Sequence, residues 1–255
     1  MSIYSYEAIN SLNQDYFEVK NQFLGSRLKY FGIENNLIVS KSKEYFVHGV
    51  LRRLSLIQRC LENIFSIFPP ARQDLLSLGE RQDVEINLHA FFVNIHGILD
   101  NLAWVSICEA RKENEVPRLK IDLFKKETQE YLPDVIKQYV LNSGIIKWHE
   151  EYQKDYRDAL SHRIPLYVPP MLLTESEAKE LTEREIEKNK LFSSGNFQEY
   201  AKKVNEQKPL GEVAPFIRHS FGESENYYLH GQVLVDYKTI TALLDKYVEN
   251  FANPR

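Results

Sequence analysis

Arg157 and His162 are the residues of this 255-residue chain whose types and spacing best suit chemistry. They stand in the run RDALSHR, residues 157 to 163, just ahead of the proline-rich exit IPLYVPP. An arginine presents a planar, permanently charged fork that matches phosphate, and histidine is the side chain that exchanges a proton near neutral pH. Together they could grip a phosphodiester and move the proton that its cleavage requires. A separation of five residues is about 140° around an ideal helix. The two side chains therefore diverge unless the last turn is distorted or a second copy of the chain supplies the complementary member. Lys147, His149, Lys154 and Arg163 make the segment locally basic. Lys154, Asp158 and Arg163 are the expected substrate-binding neighbours. The competing reading is structural: Arg157 pairs with a carboxylate, and His162 meets the helix C-terminus, where a cation is favoured by about 0.3–1 kcal/mol.

A second group lies upstream. His96, Asp100 and Asn101 interrupt an otherwise apolar stretch, and buried polar groups need partners. They read either as a polar shelf beneath a site or as satisfied core polars bracing neighbouring helices. His89 and His96 are seven residues apart, about 10 Å along a helix, too far to share one ion, and no CxxC is present. No metal or cofactor is expected. There is no GxSxG and no Gly-rich phosphate loop. Glu109, Glu113 and Glu115 read as a solvated helix end.

The elements that carry these residues are helical by pattern. Apolar residues recur at helical spacing from Tyr4 to about Phe31, with an end expected near Gly32. A second run, Lys41 to Phe68, is stopped by Pro69 and Pro70. The widest apolar surface lies between Glu80 and Arg111, the expected central helix, with burial peaking near Phe92, Ile95, Leu99 and Leu102. A weaker helix is expected over Phe124 to Val140, interrupted at Pro133, and another over Ile145 to Arg163. Beyond the prolines, residues 175 to 190 carry six Glu and four Lys or Arg, with Thr174 and Glu177 in capping-box spacing, a solvated helix outside the core. Residues 214 to 221 and 226 to 235 suggest a small β-hairpin. A last helix is expected from Asp236 to Phe251.

Composition sets the bounds. Hydrophobic residues make up 43% and charged residues 27%, those of an ordinary globular chain, and ten Gly and ten Pro leave room for long helices. Cys60 and Cys108 sit in apolar helical patterns and read as free thiols rather than a disulfide. The N-terminus lacks the features of a secretory signal and no apolar run reaches 18 residues, so a cytoplasmic location without membrane contact is expected. A net charge of −4 argues against a surface that coats nucleic acid at large, while leaving room for a local basic cleft.

RDALSHR resembles the motif of the HEPN superfamily (higher eukaryotes and prokaryotes nucleotide-binding): Arg, a polar residue, three or so residues, then His at a helix end, with Asp158 where Asn is most usual. The helix INLHAFFVNIHGILDNLAWV is also similar to the one preceding the motif helix in some bacterial members. The likeness covers residues 80–165 and 236–252; residues 1–70 and 171–235 are unmatched. It implies an all-α, HEPN-like up-and-down bundle with an N-terminal helical extension over 1–70 and a charged-helix and hairpin insertion over 171–235. It further implies a homodimer with two Arg157–His162 pairs lining one cleft. The activity implied is that of a metal-independent endoribonuclease of a toxin, phage-defence or RNA-processing system, with a cognate antitoxin as a possible protein partner. The alternative is an inactive module that binds nucleotide, RNA or protein.

Overall fold

A computed structural model describes residues 3–162, 164–206, 209–218 and 226–251, with the side chains of all but Leu24, Ser161 and His162. The architecture is all-α, with one short two-stranded sheet among the described residues.

Helix α1 (Tyr6–Glu34) starts where the Ser5 hydroxyl accepts the Ala8 N–H at 3.2 Å. It continues past Gly32, contrary to the expected stop. A Cβ at that glycine would meet nothing within 4 Å, and glycine inside a helix costs only about 1 kcal/mol relative to alanine. The next run bends without breaking: α2 (Ser40–Glu44), a π-helical stretch (Tyr45–Leu51) and α3 (Arg52–Ile67) follow one another directly. Phe68 leaves helical geometry ahead of Pro69 and Pro70, as expected from proline's effect on its predecessor.

Helix α4 (Leu78–Glu109) is the central element. Ser77 and Glu80 form a full capping box, and Arg72 grips the Glu80 carboxylate through both terminal nitrogens, at 2.8 and 3.0 Å. That grip holds the Glu80 carboxyl at about 2. Two side-chain pairs, Asn63–Asn87 and Arg53–Asn94, run in opposite order along α3 and α4, so the helices are antiparallel. Phe92, Ile95 and Leu102 are fully buried and Leu99 nearly so. Ile86, also part of the apolar pattern, is instead exposed. This helix is long and apolar enough to cross a membrane, but its most apolar 18-residue window is 72% buried inside the protein, the pattern of a core helix.

Beyond α4 come a 3-10 turn (Arg118–Lys120), α5 (Lys126–Gln129) and α6 (Asp134–Val140), two short helices where one interrupted helix was expected. Pro133 is the residue before α6, where its missing N–H costs nothing. Helix α7 (Ser143–Lys147) runs into a second π-helical stretch (Trp148–Gln153) and then α8 (Lys154–His162). Helices α9 (Glu175–Ser193) and α10 (Phe197–Glu206) form a hairpin held by the Phe192–Phe197 and Phe192–Tyr200 rings and by a Lys203–Glu187 ion pair. Neither helix contains a buried residue.

Strands β1 (Phe216–Ile217) and β2 (Tyr227–Tyr228) pair antiparallel, with Phe216 opposite Tyr228 and Ile217 opposite Tyr227. The sheet is far shorter than expected because helix α11 (Leu229–Phe251) begins seven residues before Asp236. Burial explains the early start: Leu229, His230, Val233 and Leu234 repeat at helical spacing and pack inward, and period 3.6 prevails over the β-branched content that suggested a strand. His230 is fully buried, donating from Nε2 to the Phe68 carbonyl while Nδ1 accepts from the Tyr4 hydroxyl at 3.1 Å. Residues of α1, α3, α4, α6, α8 and α11 share one contiguous core.

Candidate functional site

Most of the chain's suggestive residues lie around the junction of α4, the 118–125 loop and the π-helical entry to α8. His96 joins α4 to that entry. This ring is buried, and Nε2 donates to the Gln153 carbonyl, which leaves Nδ1 as the unprotonated nitrogen of the neutral ring. Burial lowers the His96 pKa, the Gln153 carbonyl bond works against that, and the Arg157 charge lowers it further.

The 118–125 loop is fixed by Thr128. Its hydroxyl donates to the Lys120 carbonyl at 2.8 Å and accepts the Asp122 N–H at 3.0 Å, while the Asp122 carboxylate caps Phe124 N–H at 2.9 Å. The Phe124 ring lies parallel to the His149 imidazole, with centroids 3.7 Å apart. This cover buries His149 and pushes its pKa down to about 4, against the pull of the Asp122 carboxylate. His149 is thus a neutral imidazole at physiological pH.

Helix α8 follows that entry. Tyr156 and Ala159 anchor it to the core, Tyr156 against Phe92 with centroids 4.4 Å apart. That anchoring leaves Arg157 on the outer side, where Nε and Nη2 donate to Asp158 Oδ1 at 3.3 and 3.1 Å. The Arg157 charge acts on His96, His149 and Asp100, and that of Lys154 on His149. Asp100 is open to solvent on one side and crowded by protein on the other. Burial raises its pKa and Asp122 adds to the rise, while Arg157, Arg53 and Lys125 oppose it.

The expected pair stands on α8. Helix α8 is regular from Lys154 to His162, so Arg157 and His162 remain five residues apart on an undistorted helix; the distortion falls one turn earlier, at Trp148–Gln153. The side chain of His162 and the whole of Arg163 lie outside the described residues. Of the polar shelf, His96 and Asp100 feel the Arg157 charge, whereas Asn101 faces another helix. Asn101 stands five residues, about 140°, from His96. Its side chain packs against Gly49 of the first π-helical stretch and donates to the Gly97 carbonyl.

Sequence spacing missed Arg53, Asp122 and Lys125, whose charges act on Asp100 from elements distant in the chain. One sequence signal was available for Arg53: Gly97, a lone glycine within the long apolar helix, is where another group approaches the backbone closely.

A buried polar cluster adjoins the π-helical entry to α8. Asp236 Oδ1 accepts from Trp148 Nε1 at 2.7 Å and Gln232 Nε2 at 2.9 Å, and burial pushes its pKa up to about 7 despite those donors. The Asp236 Oδ2 and Tyr156 hydroxyl atoms, both buried, have no hydrogen-bond partner among the described residues. Through Trp148 and Gln153 this cluster abuts the segment that presents the His96-accepting carbonyl.

Among the described residues, no three His, Cys, Asp or Glu side chains converge in a metal-binding arrangement. Fold and site together define a class: an all-α helical protein in which two buried histidines lie within the field of an arginine on a neighbouring helix. No family model, curated protein or solved structure matches the chain.

Proposed function

We propose that this protein is a HEPN-like, metal-independent endoribonuclease. The observation that supports the reading is that Arg157, on the outer side of α8, exerts its charge on two histidines, His96 and His149, whose pKa is lowered by burial. A base that takes a proton from a ribose hydroxyl must be neutral beforehand, and a phosphate gaining charge needs a fixed cation beside it. In the proposed step His162 accepts the 2′-hydroxyl proton, the 2′-oxygen attacks phosphorus, and the bond to the 5′-oxygen breaks. The products are a 2′,3′-cyclic phosphate and a 5′-hydroxyl, formed when the departing 5′-oxygen takes a proton from solvent, while the protonated His162 releases its own afterwards. Arg157 stabilises the charge on the nonbridging oxygens during this step. His96 and Asp100 hold the site's shape and field, and Lys154 and Asp158 flank the scissile phosphate and orient Arg157. The five-residue spacing of Arg157 and His162, about 140° on an ideal helix, favours a homodimer in which each cleft draws on both copies.

The test is incubation of purified protein with mixed cellular RNA in EDTA, beside His162→Ala and Arg157→Ala. The expected outcome is cleavage to cyclic-phosphate ends in chelator, reduced at least about 100-fold in His162→Ala, the lower end of a general acid–base contribution. Equal cutting by all three proteins would overturn the assignment. RNA binding without cutting would favour the second reading, a non-catalytic binding module.

A further inference from the structure

We propose that the cavity at the C-terminal ends of α1, α4 and α11 binds a small aliphatic polyamine. This inference stands apart from the reading of Arg157 and His162 and shares no residue with it.

The cavity has a volume of about 700 Å³, within the roughly 300–1,000 Å³ of small-molecule sites. Its walls are the residues that follow α1, the last turn of α4, the connection from α5 to α6 and the end of α11. Three of the residues lining it are carboxylates, Glu109, Glu130 and Asp134, and none is Lys, Arg or His. None of the three forms an ion pair among the described residues. The helix ends add to that charge. An α-helix carries about half a negative charge at its C-terminus, and α1, α4 and α11 have no basic residue in the last turn. Glu109 closes α4, the end at which a carboxylate is disfavoured. Lys112 lies over the Tyr131 ring at 5.6 Å, but its ammonium donates to both Glu115 oxygens at 2.7 Å and is already matched. The Glu109 carboxylate is oriented before any ligand arrives, because its oxygens accept the Val39 N–H at 2.9 Å, the Ile38 N–H at 3.0 Å and the Ser42 hydroxyl. That orientation lowers the ordering cost of binding.

A cavity of this charge takes a cation. The three carboxylates line it without converging in a metal-binding arrangement, so the matching cation is an extended one. Ile38, Tyr131 and Phe251 supply apolar surface, which suits methylene chains between ammonium groups, and the aromatic rings attract an ammonium in their own right. A monoamine would leave two of the three carboxylates unmatched.

The experiment is calorimetric titration of spermidine into the full chain at about 0.1 M KCl, where attraction between exposed charges more than about 10 Å apart is screened. One-to-one binding is expected. Glu130→Gln and Asp134→Asn should each weaken it about two- to fivefold, as loss of one solvent-exposed ion pair does. The double variant should show the product of the two, about four- to twenty-five-fold. Ala110→Phe keeps all three carboxylates but fills the cavity, so binding should be lost. Glu180→Gln/Glu183→Gln, which removes two exposed carboxylates from α9, should bind as the unaltered chain does. Absence of binding by the unaltered chain overturns the proposal, and so does unchanged binding in Glu130→Gln/Asp134→Asn. Equal weakening by the α9 variant would show diffuse attraction to an acidic surface and overturns it as well. Displacement of spermidine by Mg²⁺ whose own binding is weakened by Glu130→Gln and Asp134→Asn would assign the cavity to a metal ion instead. Should Ala110→Phe fail to fold, Ala110→Leu decides by the same loss.

Discussion

The three histidines lowered by burial and the aspartate raised by it act on stability in opposite senses. His149 and His230 are each pushed down to about 4 and His96 is lowered as well, so their folded states resist protonation. The stability they contribute is present above the ordinary histidine value near 6.5 and is lost as pH falls toward 4. Asp236 behaves in reverse. Its pKa of about 7 lies above the unfolded value near 4, so the folded state keeps a proton there through that window, and stability falls as pH rises to about 7 and then levels off. Asparagine in its place keeps an oxygen to accept from Trp148 and Gln232 and carries no titrating proton. Asp236→Asn should therefore be more stable than the unaltered protein at pH 8. That advantage should exceed the one at pH 5 by about 1–3 kcal/mol, from roughly 1.4 kcal/mol per pKa unit. Urea unfolding at the two pH values measures it; an equal difference at both would show that Asp236 does not titrate in the folded protein.

At the scale of elements, the α9–α10 hairpin is separable from the body. Neither helix has a buried residue, and the rings of Phe192, Phe197 and Tyr200 and the Lys203–Glu187 pair join the two helices to each other. The chain leaves and re-enters at one place, because Leu172 and Glu212 pair backbone to backbone through two hydrogen bonds of 2.8 and 2.9 Å. Replacing residues 175–206 by a short Gly/Ser linker should leave the melting temperature of the bundle within about 4 °C, the shift expected for roughly 1 kcal/mol in a chain of this size. Calorimetry of the shortened chain checks this. A much larger loss would mean that the hairpin contributes to the core. Helix α4 is the opposite case, since its apolar surface is enclosed by α3, α8 and α11 and cannot be excised.

For the whole molecule the question is how many copies complete the site. Arg157 and His162 stand five residues apart, a spacing of about 140° on an ideal helix, which favours a second copy supplying the complementary member. The expected state is a two-fold dimer, measured by small-angle scattering or sedimentation at tens of micromolar. A strict monomer that still cleaves RNA would assign the chemistry to one chain, with His96 or His149 accepting the proton in place of His162.

Much of the architecture was legible in the chain because helices are local objects: a 3.6-residue apolar period, a capping box at Thr174 and Glu177, and prolines after Phe68 act within a few residues of themselves. The same locality misled at Gly32 and at residues 229–235, where what decided the outcome was the packing surface on offer and not the residue types. Arg157 was readable as a site candidate because arginine's chemistry is intrinsic to it. The low pKa of His149 was not, since it depends on Phe124 lying flat against the ring from another element. Neither was Arg53, brought in by the antiparallel pairing of α3 with α4 over a glycine that leaves room for it. The sequence by itself determined the helices and the reactive groups they carry. Only the tertiary structure decided which of those groups share a dielectric environment and a field, because desolvation and Coulomb interaction depend on distance in space and not on separation along the chain.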